Sequence, residues 1–195
     1  MYNPRLGDDA RLRRIAMQVE YDGTEYHGFQ LQRNAKSVQG ALEEAIVKLT
    51  GHFSRVRGAG RTDAGVHAEG QVVTFDTEVS YPVQTIVAAL NRYLSTNISI
   101  KRAIEVPSSF DPRRSALRRQ YRYQIFNGTT PSPLLQGLAH HVSQSLDVVS
   151  MGIAARYLEG DKDFGPFCGP IAKGVLSTNR YMFSSTVTYK QDMVF

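Results

Sequence analysis

Apolar and polar positions alternate from Ile15 to Tyr21. Ile15, Met17, Val19 and Tyr21 fall on one side and Ala16, Gln18 and Glu20 on the other, the two-residue period of a half-buried strand. Asp22-Gly23 ends that strand, and residues 24–34 read as a polar loop. The period then lengthens. Val38, Leu42, Ala45, Ile46 and Leu49 recur at helical spacing behind Ser37, a good N-cap, and Gly51 supplies the stop. Residues 53–57 and 71–76 read as strands around a glycine-punctuated loop. Pro82 starts a second helix with Val83, Ile86, Val87, Leu90 and Leu94 on one face. Ile98, Ile100, Ile104 and Val106 then alternate in a fourth strand.

This order, βαββαβ, is ferredoxin-like, an arrangement shared with RNA-recognition motifs. The remainder begins to repeat it. Residues 117–127 predict a long tyrosine-bearing strand, with 138–142 as a partner. Residues 147–159 predict a helix with Val148, Met151, Ala155 and Leu158 inward and Gly160 as its stop. Residues 181–189 and 193–195 look like a hairpin. The fold class is α+β. Residues 1–13 form a flexible basic arm, 14–107 an N-terminal lobe carrying the loop, and 108–195 a C-terminal lobe.

Composition narrows the function classes. A chain of 195 residues with 42% hydrophobic and 21% charged positions has the make-up of an ordinary globular protein. No apolar run approaches a membrane span, and Met1-Tyr-Asn-Pro-Arg5 lacks a signal-peptide core. The single cysteine, Cys168, fits a reducing cytoplasm. The net charge of +5 leans toward a polyanionic partner. Its distribution says more. Arg113, Arg114, Arg118, Arg119 and Arg122 crowd into ten residues around Tyr121, with Tyr123 just after. Arginines supply phosphate contacts and tyrosine a stacking face, although a solvated basic edge strand fits the same residues.

The loop Gly58-Ala-Gly-Arg-Thr-Asp-Ala-Gly-Val-His67 places Asp63 between Arg61 and His67. In an extended segment Arg61 and Asp63 project to the same side, and a guanidinium that close keeps a carboxylate ionised. Such a group suits nucleophilic or general-base work. A turn with a surface Arg–Asp pair fits the same residues. Neither a dinucleotide fingerprint nor a P-loop is present, and without a second ligand pair near His67 no metal site is expected.

The run Gly60-Arg-Thr-Asp-Ala-Gly-Val-His-Ala68, followed by Gly70-Gln-Val-Val73, resembles the active-site motif of the tRNA pseudouridine synthase I (TruA) family. Glu20-Tyr-Asp-Gly-Thr-Glu-Tyr-His-Gly-Phe-Gln30 with Ser37-Val-Gln39 also matches, as do Phe110-Asp-Pro-Arg113 and Arg119-Gln-Tyr-Arg-Tyr123. A weaker match is Leu158-Glu-Gly-Asp-Lys-Asp-Phe164, so the resemblance runs through the chain from about residue 14.

The resemblance implies two ferredoxin-like lobes sharing a central antiparallel sheet, helices on one face and a catalytic cleft across it. It implies isomerisation of uridine to pseudouridine in the anticodon stem–loop of tRNA, by a cytoplasmic homodimer needing no cofactor and no metal. Asp63 would be the catalytic aspartate, as nucleophile or as base toward the sugar. Arg61 would orient it, and Tyr121 would stack on uracil. Gln30, Gly65, His67, Arg113, Arg114, Arg119 and Arg122 would meet the RNA. Relatives continue past the position of Phe195. The expectation is therefore an incomplete C-terminal lobe, with Val194 and Phe195 on an open, apolar sheet edge. Two rivals remain: a non-catalytic RNA-binding module, and a metal-independent glycosidic hydrolase. The hydrolase wants a second carboxylate, for which Asp22 is the candidate.

Overall fold

The computed structural model describes residues 11–169 and 177–195. The chain divides into two compact units after Arg119. Most of the expected basic arm lies outside the described residues, but Arg13 does not belong to it. Arg13 opens β1 (Arg13–Tyr21), paired with Thr77 and ion-paired to Glu105 at 2.8 Å.

In the first unit β1 is central. β3 (Ala68–Thr77) and β4 (Ile98–Val106) flank it, both antiparallel, and the short β2 (Arg57–Gly58) adds beyond β3, giving the order β2-β3-β1-β4. α1 (Val38–Thr50) follows Ser37, whose hydroxyl accepts the Gly40 N–H, and ends at the left-handed Gly51. α2 (Val83–Tyr93) starts one residue after Pro82. Both helices pack on the sheet face that carries Ile15, Met17, Val19, Val73, Phe75, Ile98 and Ile100. Leu42, Ile46, Ile86 and Leu90 meet them there. Each such side chain stabilises the fold by about 1.5–3 kcal/mol through burial.

Four local expectations in this unit need correction. Residues 53–56 are not a ladder strand, because side chains of α1 take the place of a neighbouring strand. The buried Glu43 carboxylate accepts the Val56 N–H at 3.0 Å, and Gln39 Nε2 donates to the Val56 carbonyl at 3.2 Å. Ile104 is exposed, not inward. The β1–β4 register shifts between Gln18 and Val19, so Arg102 faces Gln18 but Ile100 faces Val19. The extra residue on β4 reverses the alternation beyond it, and Ala103 packs on the core instead. The segment 24–34 is not simply polar, since Tyr26 and Phe29 are buried. Tyr26 hydrogen-bonds Ser95 through its hydroxyl, and two isolated aromatics create no period for a sequence reading to detect. Pro82, finally, caps α2 from outside and does not form its first turn.

The second unit contains β5 (Ile125–Phe126), β6 (His140–His141), α3 (Val148–Arg156), β7 (Gly160–Asp163), β8 (Asn179–Met182), β9 (Tyr189–Lys190) and β10 (Met193–Val194). Its sheets are β6-β5-β10-β9, with β5 and β6 parallel, and the antiparallel pair β7-β8. The long strand expected over 117–127 is reduced to two residues. Tyr121 and Tyr123 alternate as in a strand, but residues 117–124 join no ladder among the described residues, and both rings are exposed. Alternation assigns sides to side chains; it does not supply the neighbouring N–H and C=O groups a strand requires.

The expected hairpin also divides differently. Residues 179–182 pair with β7, and only Tyr189–Lys190 turns through Gln191 and Asp192, both at positive φ, into β10. The chain end is not an open edge in its sheet. β10 lies between β5 and β9, Val194 is 2% exposed, and Phe195 exchanges two backbone hydrogen bonds with Thr188. α3 starts at Asp147, whose carboxylate accepts the Ser150 N–H, and stops short of the expected 159. Its expected inner residues are half-buried, while Val149, Ile153 and Tyr157 are exposed. Among the described residues no helix is long and apolar enough to cross a membrane.

Candidate active site

The loop between β2 and β3 is held by its backbone. Ala59 N–H donates to Val72 O at 2.8 Å, Gln71 Nε2 to Gly60 O at 2.8 Å, and Phe29 N–H to Thr62 O at 3.0 Å. Gly65 N–H, at a residue with φ 78, donates to Tyr26 O at 3.1 Å, and Val66 N–H closes a turn on Asp63 O at 3.2 Å. Thr62 is the side chain that points inward, its hydroxyl 2.8 Å from the Tyr21 hydroxyl. The close approach explains Gly28. A Cβ there would lie 2.6 Å from Thr62 O, and its φ of 91 disfavours any other residue.

Arg61 and Asp63 flank Thr62 and are both exposed, as expected from their spacing. They form no ion pair with one another, and neither side chain has a hydrogen-bond partner among the described residues. The expected Arg61–Asp63 pairing is therefore absent. Thr62 supplies the anchoring that the sequence reading assigned to the guanidinium.

His67 ends the loop, half-buried. Its Nδ1 accepts the Gly23 N–H at 3.2 Å and stands 3.1 Å from Asp22 Oδ1. Asp22 is bound by the hydroxyl and N–H of Thr24, and these contacts, with the nearby His67, hold its carboxyl below the usual carboxylate range. A glycosidase acid needs the opposite, a raised pKa. Asp22 thus braces the loop end and is unsuited to the acid's part in a hydrolase.

The arginine cluster divides. In the turn after Phe110, Asp111 Oδ1 accepts the N–H groups of Arg113 and Arg114 at 2.8 and 2.9 Å. The Arg114 N–H and then the Arg113 N–H lower the Asp111 pKa, with Arg114's charge adding to the effect. Among the described residues the guanidinium groups of Arg113, Arg114 and Arg118 donate no hydrogen bond. Arg119, in contrast, is engaged with the backbone of Ala59 and Arg113. In the second unit Arg122 lies 5.9 Å from the Phe195 ring centre, and Tyr121 is 77% exposed. Gln30 is exposed beside the buried Phe29.

The anchoring roles of three groups at the loop escaped the sequence reading: those of Thr62, Asp22 and the Arg119 guanidinium. The first two sit beside glycines of close approach, Gly28 and Gly23, which were a usable signal. Nothing in the sequence distinguished Arg119 from its neighbours. Among the described residues no group of three or more His, Cys, Asp or Glu side chains is placed to hold a metal ion.

Comparison with known proteins adds identity to this geometry. Residues 17–113 match the family model described as tRNA pseudouridine synthase. The chain is similar to tRNA pseudouridine synthase A of Roseiflexus castenholzii, 47% identical over 177 residues, which is 91% of this chain and 65% of that protein. It is similar to the protein of the same name from Caldicellulosiruptor saccharolyticus, 40% identical over 183 residues, covering 94% of this chain and 75% of that one. The Ruminiclostridium cellulolyticum protein of that name is 41% identical over 181 residues, with 93% and 74% covered. The chain thus spans 65% of the Roseiflexus protein's length and 75% of the Caldicellulosiruptor protein's.

Proposed function

The chain belongs to the tRNA pseudouridine synthase family, and on that premise we propose that it isomerises uridine to pseudouridine in the anticodon stem–loop of tRNA. One observation carries the proposal beyond kinship. Asp63 is presented by a loop whose backbone is anchored to β3 and to the segment carrying the buried Tyr26 and Phe29, while its own carboxylate has no partner among the described residues. A side chain that the fold positions but does not use is available for chemistry on a bound substrate. A module that only bound RNA would gain little from a carboxylate facing phosphates.

The reaction breaks the C1′–N1 bond, turns the uracil, joins C1′ to C5, releases the C5 proton and leaves a proton on N1. Atoms balance within the nucleotide and no electrons are exchanged with another reagent, so the scheme needs no cofactor and no metal. The target base must leave its stack, at a cost of a few kcal/mol. Asp63 assists bond cleavage, as nucleophile at C1′ or as base toward the sugar. Arg61, unpaired on the same side, fills the space of the flipped base and approaches Asp63 once RNA is bound. Tyr121 stacks on uracil. Gln30, Gly65, His67, Arg113, Arg114 and Arg122 meet the RNA. The proposal includes a cytoplasmic homodimer and two ferredoxin-like lobes sharing an antiparallel sheet, with the cleft across it.

The test is incubation with unmodified tRNA, followed by pseudouridine mapping and by tritium release from C5-labelled uridine. Binding without release in the wild-type protein would favour the RNA-binding module. Free uracil would favour the hydrolase.

A further inference from the structure

The five arginines expected to meet phosphate do not share one environment. Arg119 Nε and Nη2 both donate to the Ala59 carbonyl, at 3.2 and 2.9 Å, and Nη2 also donates to the Arg113 carbonyl at 2.7 Å. We infer that Arg119 is a positioning residue for the Asp63 loop and not a phosphate contact; this rests on the function proposed above. Ala59 is the peptide at which the chain leaves β2 for the loop, four residues before Asp63.

The other end of the clamp is firm. Asp111 closes the 111–115 turn through the N–H groups of Arg113 and Arg114, and Ser115 N–H donates back to Asp111 O at 2.8 Å. Just before that turn, Arg14 Nη1 donates to the carbonyls of Ser108 and Phe110, while Arg14 Nε and Nη2 form a two-point pair with Asp76 of β3 at 2.7 and 2.9 Å. A continuous path therefore runs from β3 through Arg14, the 111–115 turn and Arg119 to the loop entrance. Ala59 is held on one side by β3, through its N–H, and on the other by Arg119, through its carbonyl. A planar guanidinium directing two N–H groups at one oxygen fixes a peptide plane in a way an ammonium does not. Reactive groups displaced by about 1 Å lose roughly 100-fold in rate, so a clamp at the loop entrance bears on Asp63 without touching substrate.

The test uses the full chain carrying Arg119→Gln, Arg119→Lys or Arg118→Ala. Hydrogen exchange over residues 58–66, read by mass spectrometry, reports on the loop without RNA. Arg119→Gln is expected to speed it about tenfold while β1 and α1 keep wild-type rates, and Arg119→Lys to restore only part of the protection. The salt dependence of tRNA affinity should keep its slope in both Arg119 variants, whereas Arg118→Ala should flatten it by about one unit. Single-turnover pseudouridine formation should fall roughly 100-fold in Arg119→Gln, with tRNA affinity unchanged. The inference is overturned by unchanged exchange over 58–66 in Arg119→Gln, by a slope flattened there by about one unit, or by equal acceleration in β1 and α1, which marks a general stability contact. If the wild-type protein makes no pseudouridine, the proposed function fails, and the exchange measurement still decides what Arg119 does at the loop.

Discussion

α1 and α3 begin from comparable sequence patterns and end in different states. Each has a good N-cap, Ser37 or Asp147, whose side chain accepts a backbone N–H three residues on. Each carries apolar residues at helical spacing. In α1, Val38, Leu42, Ala45 and Ile46 are no more than 2% exposed. In α3 the corresponding face is half-buried, and no residue of the helix is fully buried. What differs is the opposing layer. α1 rests on a sheet whose three main strands run nine or ten residues, whereas the strands of the second unit run two to four. Val194 is the one fully buried hydrophobic residue of the second unit among those described. Periodicity thus marks a face, and the area of the partner layer decides how much of it leaves water. The candidate loop hangs from the better-packed unit, which is where a reactive side chain can be held without a partner of its own.

Asp63→Asn puts the most weight on that last point. Tritium release from tRNA should fall by about 10²–10⁴-fold, the range for loss of a general base or comparable group. The thermal midpoint should stay put, because the carboxylate has no partner to lose. A large drop in the midpoint would show that the loop depends on this side chain.

The packing contrast itself can be broken by a pair of truncations followed by denaturant unfolding. Leu42→Ala in α1 should cost about 2–5 kcal/mol, whereas Ile153→Ala on the exposed face of α3 should stay within about 0.5 kcal/mol. Similar costs at both sites would mean that α3 is covered in solution and the contrast is wrong.

Glu43→Ala asks whether α1 does the work of a strand for residues 53–56. It leaves the Val56 N–H without its acceptor, a loss of about 1–3 kcal/mol, and should raise hydrogen exchange around Val56 before it does so in β3. Exchange that rises uniformly would argue against a local role.

The smallest expected effect is a pH dependence. Hydrogen bonds from Arg14, then its charge, lower the pKa of Asp76, against an opposing contribution from burial. A carboxylate whose pKa falls on folding adds stability that is fully present above its unfolded value of about 3.9 and is lost as pH falls through the folded value. Unfolding midpoints from pH 7 down to about 3 should therefore drop less steeply in Asp76→Asn than in wild type. Parallel pH profiles would remove the pair from the account.

Sequence alone determined what depends on neighbours along the chain. The β1 alternation, the inner faces of α1 and α2, the Ser37 and Gly51 caps, and the candidate role of Asp63 are all local patterns or motif positions. Tertiary structure decided what depends on distant partners. A single extra residue on β4 turned Ile104 outward and brought Ala103 in, because facing direction follows register and register is set between strands. Residues 53–56 lost their ladder to Glu43 and Gln39 of a helix, a substitution no strand propensity encodes. Tyr121 and Tyr123 kept the alternation of a strand but found no strand to pair with among the described residues. Arg119 looked like its four companions until the fold placed two carbonyl oxygens, Ala59 and Arg113, within reach of one guanidinium. Hydrogen bonds across 60 residues are written in the folded coordinates and leave no period in the chain.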